Sequence, residues 1–349
     1  MATQRSSSST LLRRDSLSYV SMERVRIGLI GAGKHGSRYI KHIVEDIAQA
    51  ELVALCRRDR REGEQLAAMR NCVYYSDYRQ LLADPRVDAV AIVVPPYLHR
   101  EMVTAACHVG KPILIEKPFA ISVTEARRLR DLITASQVRC MVAHTLRFNA
   151  VVRAMKAHIA QIAPLHSLYL SQRFEPSPLL WLDHKVESGG GIILHTGVHS
   201  FDLLRFLSDC EVTQVWCTTA TRFTKETEDN FIMLCQLSDS ARTLTMQGVA
   251  AGSRSTQSRS GLIELSGENG QLLGDHHHGF ASLIKGTERI SLSIEPAVPT
   301  VRETLQVFID GLQNGTPFPI TPEDGLRAVA IAEACYRSAA GGQGATVEW

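Results

Sequence analysis

The chain has no long hydrophobic run. Its longest strongly apolar stretch, Ala89 to Val94, falls far short of the roughly 18 residues a membrane span needs, so no membrane partner is expected. It also has almost no excess charge. Lys and Arg number 38 against 36 Asp and Glu, and Arg5, Arg13 and Arg14 against Asp15 account for the whole net +2. Without a basic footprint a protein does not steer polyanions, which argues against a nucleic-acid partner. The eight cysteines include no CxxC pair, and several, such as Cys56, Cys140 and Cys235, sit in apolar segments. Buried reduced thiols in a cytoplasmic protein are therefore expected, rather than a disulfide framework. Residues 1–21 lack the apolar core of a secretory signal. Their Ser- and Arg-rich composition reads as a disordered extension, as a transit peptide, or as translation from upstream of a start at Met22.

What is present begins with glycine. Val25 to Ile30 reads as a buried strand, and Gly31, Gly33 and Gly36 follow at G-x-G-x-x-G spacing before a helix-like segment from Ser37 to Ile47. In a dinucleotide-binding unit the first glycine makes the tight turn, the second lets the backbone approach a pyrophosphate, and the third lets helix and strand pack closely. The helix start offers free N–H groups to the phosphates, with Lys34 and His35 inside the same loop as further cofactor contacts. A second strand, Leu52 to Cys56, follows. In an NAD site an acid at the end of that strand accepts from the ribose 2′-hydroxyl. Here Arg57 and Arg58 stand there, and no carboxylate comes before Asp59. A guanidinium suits a 2′-phosphate through paired charge-assisted hydrogen bonds, so NADP(H) is expected over NAD(H). The alternative is that both arginines are solvated at the sheet edge.

At 349 residues the chain is long enough for two domains. Over residues 22–144 short apolar runs (Val73–Tyr75, Ala89–Val94, Ile113–Ile115, Cys140–Ala143) alternate with helical patterns (Asp59–Met69, Leu98–His108, Ser122–Ala135). That alternation implies a doubly wound parallel sheet, an α/β fold. Over residues 145–349 the order changes. A helical pattern at Ala150–Ile159 leads into Ser167–Phe174, a loop rich in Pro, Trp and charge runs from Glu175 to Ser188, and a long helix is expected from about Gly191 to Leu207. Strand-like runs follow at Val212–Thr219, Phe231–Leu237, Arg242–Val249 and Leu262–Leu265, with a hairpin signal at Asn269-Gly270. Helical patterns at Glu303–Asn314 and Glu323–Ser338 close the chain, the second after a Thr321-Pro322 cap. This grammar implies an α+β domain with a mainly antiparallel sheet and helices on one face.

Three further blocks carry chemistry. Val87 to His99 is an apolar run closed by Pro95-Pro96. Gly110 to Pro118 ends in Glu116-Lys117-Pro118. Gly189-Gly190-Gly191 leads to Gly197-Val198-His199-Ser200-Phe201-Asp202. Together with the glycine fingerprint, these blocks in this order resemble the Gfo/Idh/MocA oxidoreductase family, which includes inositol dehydrogenases and glucose–fructose oxidoreductase. The resemblance spans essentially residues 24–349. It implies a Rossmann domain followed by an α+β domain with a large open sheet, through whose exposed face members pair, and hence a homodimer or homotetramer. It implies a sugar, polyol or related cyclic substrate between the nicotinamide and the second domain. His199 matches the family's active-site histidine and Lys117 its hydroxyl-binding lysine, with a cis Lys117–Pro118 bond, while Pro95, His99, Glu116 and Lys117 itself fall beside the cofactor; a helix-start contact is the other reading of His99.

Hydride transfer needs a carbinol carbon held against the nicotinamide and a group for the hydroxyl proton. An imidazole titrates near neutrality and can take that proton; an ammonium stabilises the developing alkoxide. Lys117 could also be a surface cation after a strand. Pro118, which fixes φ and removes a donor, instead marks a shaped turn where doubly wound sheets bind ligands. At 195, where many members carry Asp, this chain has His195. Positions 195, 199 and 202 share a face by helical spacing. His195 then replaces the acid as a substrate-binding or proton-relay group, or is structural in a binding-incompetent member, or pairs with His199 on a metal. A metal would need a third ligand such as Asp202, Asp183 or His184; the family generally uses none, and none is expected. Arg147, Trp181 and Asp202 are candidate substrate contacts. Asp183, His184 and Lys185 either shape specificity or are solvated, and His276-His277-His278 is expected to be an exposed turn. The function expected is oxidoreduction of a carbohydrate-like alcohol or carbonyl. The alternatives are an NAD-dependent glycosidase of the same family and a non-catalytic nucleotide-binding member.

Overall fold

The computed structural model describes residues 24–239, 241 and 245–349; the expected extension over residues 1–21, the alternative start at Met22 and residues 242–244 of an expected strand lie outside them. Six apolar runs form strands β1 (Val25–Ile30), β2 (Ala50–Cys56), β3 (Val73–Tyr75), β4 (Ala89–Ile92), β5 (Ile113–Glu116) and β6 (Cys140–Ala143). They pair in parallel in the order β3-β2-β1-β4-β5-β6. Every residue of β4, β5 and β6 is buried, because helices cover both faces of such a sheet; this is why the runs are continuously apolar rather than alternating. The chain reverses direction of travel across the sheet between β1 and β4, the position at which doubly wound sheets bind ligands.

The remaining strands are β7 (Leu165–Arg173), β8 (Glu211–Ala220), β9 (Asn230–Ser238), β10 (Thr245–Ser253), β11 (Ser260–Gly267), β12 (Gly270–Asp275), β13 (Phe280–Lys285), β14 (Glu288–Ser291) and β15 (Ala345–Thr346). They build a nine-stranded sheet in the order β14-β13-β12-β11-β7-β10-β9-β8-β15. Its pairs are antiparallel except β7 with β10, which run parallel, so the sheet is mixed. The helices Val198–Ser208 and Pro322–Gly341 pack on one face. The other face carries exposed Trp216, Ile232 and Leu234. Among the described residues no helix is long and apolar enough to cross a membrane.

Local signals hold in detail. The Asn269-Gly270 turn joins β11 to β12 with Gly270 at φ +140°, where a Cβ would run into the Ile284 carbonyl. Thr321 and Asp324 cap the last helix reciprocally, with Pro322 at its first position. Three expectations need correction. The long helix from Gly191 is a wide π turn at Ile193–Gly197 followed by the helix Val198–Ser208, a change that widens the turn by one residue. Its start is held by the Glu228 carboxylate, which accepts from the N–H groups of Gly191 (3.1 Å) and Ile193 (2.9 Å). β13 and β14 are unexpected; β14 carries no signal because it is exposed at every position and has no apolar period. The histidine turn is not wholly exposed. His276 faces Gly261, and its Nε2 is buried without a partner.

Candidate active site

The glycine loop behaves as its spacing requires. Gly31 sits at φ +100°, and a Cβ there would strike the Val93 carbonyl. A Cβ at Gly36 would strike the Gly31 carbonyl, whereas one at Gly33 would stand in open space. That open space is the cradle a pyrophosphate fills. The helix beginning at Gly36 has neither a side-chain cap nor an acid in its first turn, so no negative charge there opposes an anion at the loop. The residues present therefore fit a dinucleotide. Lys34, His35 and Arg38 line the same cleft, which has a volume of about 560 Å³ and continues past Pro95 to Lys117, His195 and His199. Arg57 lies behind the loop. It donates to the Ala32 carbonyl at 2.7 Å and pairs with Glu62, while Arg58 is exposed. Asp59 is taken up capping the next helix through the Glu62 N–H. His99 departs from the expected role beside the cofactor and takes the structural one. It is fully buried, with its ring nitrogens facing the carbonyls of Phe119 (3.2 Å) and Val94 (3.1 Å), so it braces the two turns of the cleft from behind.

The Glu116-Lys117-Pro118 turn, with its cis Lys117–Pro118 bond, closes β5. Burial would drive the Glu116 proton on, but the His35 imidazole (2.7 Å), the Lys117 charge and the Tyr39 hydroxyl (2.6 Å) hold its pKa down at about 2. Its other oxygen accepts from the Lys117 N–H at 3.0 Å. Lys117 Nζ donates to the His195 carbonyl at 2.7 Å, in the wide turn. Burial lowers the Lys117 pKa to about 8; Glu116 opposes this and Arg254 reinforces it. His199 lines the cleft beside it, its ring 6.3 Å from that of His144 and its Nδ1 buried without a partner. Burial first, then the Lys117 charge, push its pKa well below the ordinary histidine value. His199 is therefore neutral at neutral pH.

His195, in the wide turn, and His199, in the helix that follows it, both line the cleft, whereas Asp202 does not. The His195 ring packs edge-on against Trp181 (centroids 5.3 Å apart), and its Nε2–H donates to the Ser188 carbonyl at 2.9 Å. Burial and then Lys117 lower its pKa to about 3. Asp202 points away from the cleft into a buried ion-pair cluster. Arg147 grips it through two bonds of 2.8 and 2.5 Å and also reaches Asp324 at 2.9 Å. The substrate contacts expected of Arg147 and Asp202 give way to this structural role, since their charges satisfy each other. Trp181 does line the cleft. Asp183 ties the loop before the helix to the N–H groups of Lys225, Glu226 and Thr227, and His184 and Lys185 are exposed. Among the described residues no group of three or more His, Cys, Asp or Glu is placed to hold a metal.

Arg254, just past β10, has no motif to mark it in the sequence. It lines the cleft and a neighbouring cavity of about 170 Å³ that shares Leu179, Leu182 and His195 with it. Its guanidinium donates to Thr196 Oγ1 at 3.0 and 3.2 Å. Tyr39, Glu228 and His144 are likewise unmarked, each a partner within the structure rather than a motif residue.

Residues 25–144 match the model of an oxidoreductase family with an NAD-binding Rossmann fold, and residues 159–348 match that family's C-terminal alpha/beta domain. The chain is similar to the 1,5-anhydro-D-fructose reductase of Ensifer adhaerens, 28% identical over 93% of this chain and 98% of the relative. It is similar to the myo-inositol 2-dehydrogenase of Thermotoga maritima, 24% identical over 90% of this chain and 96% of the relative. The fold is shared with a levoglucosan dehydrogenase solved with NADH and levoglucosan, at a TM-score of 0.82 and 19% identity over 93% of this chain and all of that one (100%).

Proposed function

Since the chain belongs to the Gfo/Idh/MocA oxidoreductase family, we propose that it transfers a hydride between NADP(H) and a CH–OH or C=O group of a sugar, polyol or related cyclic compound. The observation that carries this reading is a half-buried ammonium, Lys117, beside a neutral imidazole, His199, in the cleft that continues from the glycine loop. The nicotinamide supplies the hydride acceptor or donor. Lys117 holds the reacting oxygen and stabilises its negative charge, while the His195 carbonyl fixes the ammonium and the Glu116 charge favours its protonated form. His199 takes the hydroxyl proton in oxidation and returns it in reduction. His195 acts as a positioning residue, and Trp181 forms one wall of the substrate end.

A screen of sugars, inositols and their keto forms with both cofactors, read by nicotinamide absorbance, tests this function. A net substrate-dependent change supports it. Glycoside cleavage without net change assigns the glycosidase reaction instead, and cofactor binding with neither reaction assigns a non-catalytic role.

The preference for NADP(H) rests on Arg57 at the end of β2 and on the Asp59 carboxylate being engaged in capping. NADPH is expected to bind about tenfold or more tighter than NADH, the scale of a lost charge-assisted contact. Arg57→Asp should erase or reverse that ratio in a fluorescence titration; equal affinities in the native protein would refute it.

The pH dependence follows from the two shifted groups. Lys117 is protonated below about 8 and loses its charge above it; His199 is already proton-free across the neutral range. Oxidative kcat/KM should stay level through neutrality and fall as pH passes about 8. A rise through that point would make Lys117 the base instead.

Trp216, Ile232 and Leu234 on the uncovered sheet face support a homodimer or homotetramer, checked by light scattering; a monomer at micromolar concentration would refute it. The eight free thiols support a cytoplasmic location.

A further inference from the structure

Arg254 is a cation of the site that only a hydroxyl and a ring face answer. The carboxylates near the cleft are each engaged elsewhere. Glu116 has His35, Tyr39 and the Lys117 N–H. Glu228 accepts from two backbone amides and the Tyr336 hydroxyl. Asp229 accepts from the N–H groups of Arg222, Phe223 and Thr224, and Asp183 from three further amides. The Arg254 guanidinium has Thr196 Oγ1 and the face of the Phe174 ring, its carbon 5.8 Å from the centroid. No carboxylate lies within salt-bridge distance of it among the described residues. Burial lowers its pKa with no acid offsetting the effect. Lys117 adds a second positive charge at the same end of the cleft. The histidines there, His195 and His199, are neutral. A half-buried guanidinium whose described partners are one hydroxyl and one ring face keeps donors free toward the cleft, and its fork geometry matches an oxyanion.

Resting on the hydride-transfer reading above, we infer that the substrate carries an anionic oxygen group, a carboxylate or a phosphoryl, which Arg254 binds while Lys117 and His199 address the reacting carbon's oxygen. The substrate class is thus an acidic sugar derivative rather than a neutral polyol. Arg254 is the specificity-determining residue, and Thr196 orients it.

The test is calorimetric titration of the NADP⁺-loaded protein with D-glucose, D-glucuronate and D-glucose 6-phosphate. At least one acidic sugar should bind about tenfold or more tighter than glucose, the scale of a charged hydrogen bond; which of the two does so identifies the anion. Arg254→Met should abolish the difference and Arg254→Lys retain part of it, so a misfolded Met variant still leaves the Lys comparison decisive. Equal affinity for all three sugars, or a difference that survives in both variants, would overturn the inference. The two readings fail separately. Arg254-dependent anion binding with no turnover of any sugar defeats hydride transfer alone. Turnover of neutral polyols with charge-blind binding defeats the acidic substrate alone.

Discussion

Lys117→Ala and His199→Ala should each lower turnover by at least about a hundredfold, the range of a positioned acid–base or charge-stabilising group. The dissociation constant for the nicotinamide dinucleotide should change little. Neither residue belongs to the glycine loop, and Glu116 keeps His35 and Tyr39 when the ammonium is gone, so the turn that follows β5 persists. The His199 ring makes no hydrogen bond through its buried Nδ1, so its removal strands no partner. Steady-state rates on the true substrate, beside a cofactor fluorescence titration, separate the two quantities. Near-native turnover in either variant would remove that residue from the mechanism. A parallel loss of cofactor affinity would mean instead that the variant has disturbed the cleft.

The second large effect is on stability. Asp202 is 1% exposed, and Arg147 supplies its hydrogen bonds among the described residues. Arg147→Met leaves that carboxylate buried and unpaired, a loss of about 3–5 kcal/mol. For a chain of this size that is a fall in unfolding temperature of roughly 5–10 °C. The double variant Arg147→Met with Asp202→Leu removes both charges and should recover most of it. If the double variant stays as unstable as the single one, the loss lies in packing against the Phe206 ring, 5.2 Å from the guanidinium carbon. An unchanged melting temperature with a raised KM would return Arg147 to the substrate site.

Much of the parallel sheet was legible, because strands buried on both faces announce themselves as unbroken apolar runs. Val25–Ile30 and Cys140–Ala143 coincide with observed strands to the residue, as does the half-buried edge run Val73–Tyr75. The glycine loop and the Glu116-Lys117-Pro118 turn were legible for another reason. Each needs a backbone conformation that few residues allow. Three things were not. The wide turn at Ile193–Gly197 leaves no mark in an apolar pattern that helical periodicity equally satisfies. The destination of Arg147 and Asp202 depends on Asp324, which is far along the chain and comes near only through folding. Arg254 lies in a Ser-rich turn with no periodicity. Its significance comes from what does not surround it, and no local sequence signal encodes an absence in space.

The cluster of Arg147, Asp202, Asp324 and Arg205 draws on the helices Val198–Ser208 and Pro322–Gly341 and on the segment after β6. It contains nothing from the loop of residues 175–188 or from the turn that bears Arg254. The helix carrying His199 is thus bolted from behind, while Trp181 and Arg254, on the cleft wall, hang from separate stretches of chain. Divergence within such a scaffold has an open route. On the function proposed above, exchanges at Trp181 or Arg254 would redirect it to new compounds, generation after generation, without loosening the helix that bears His199.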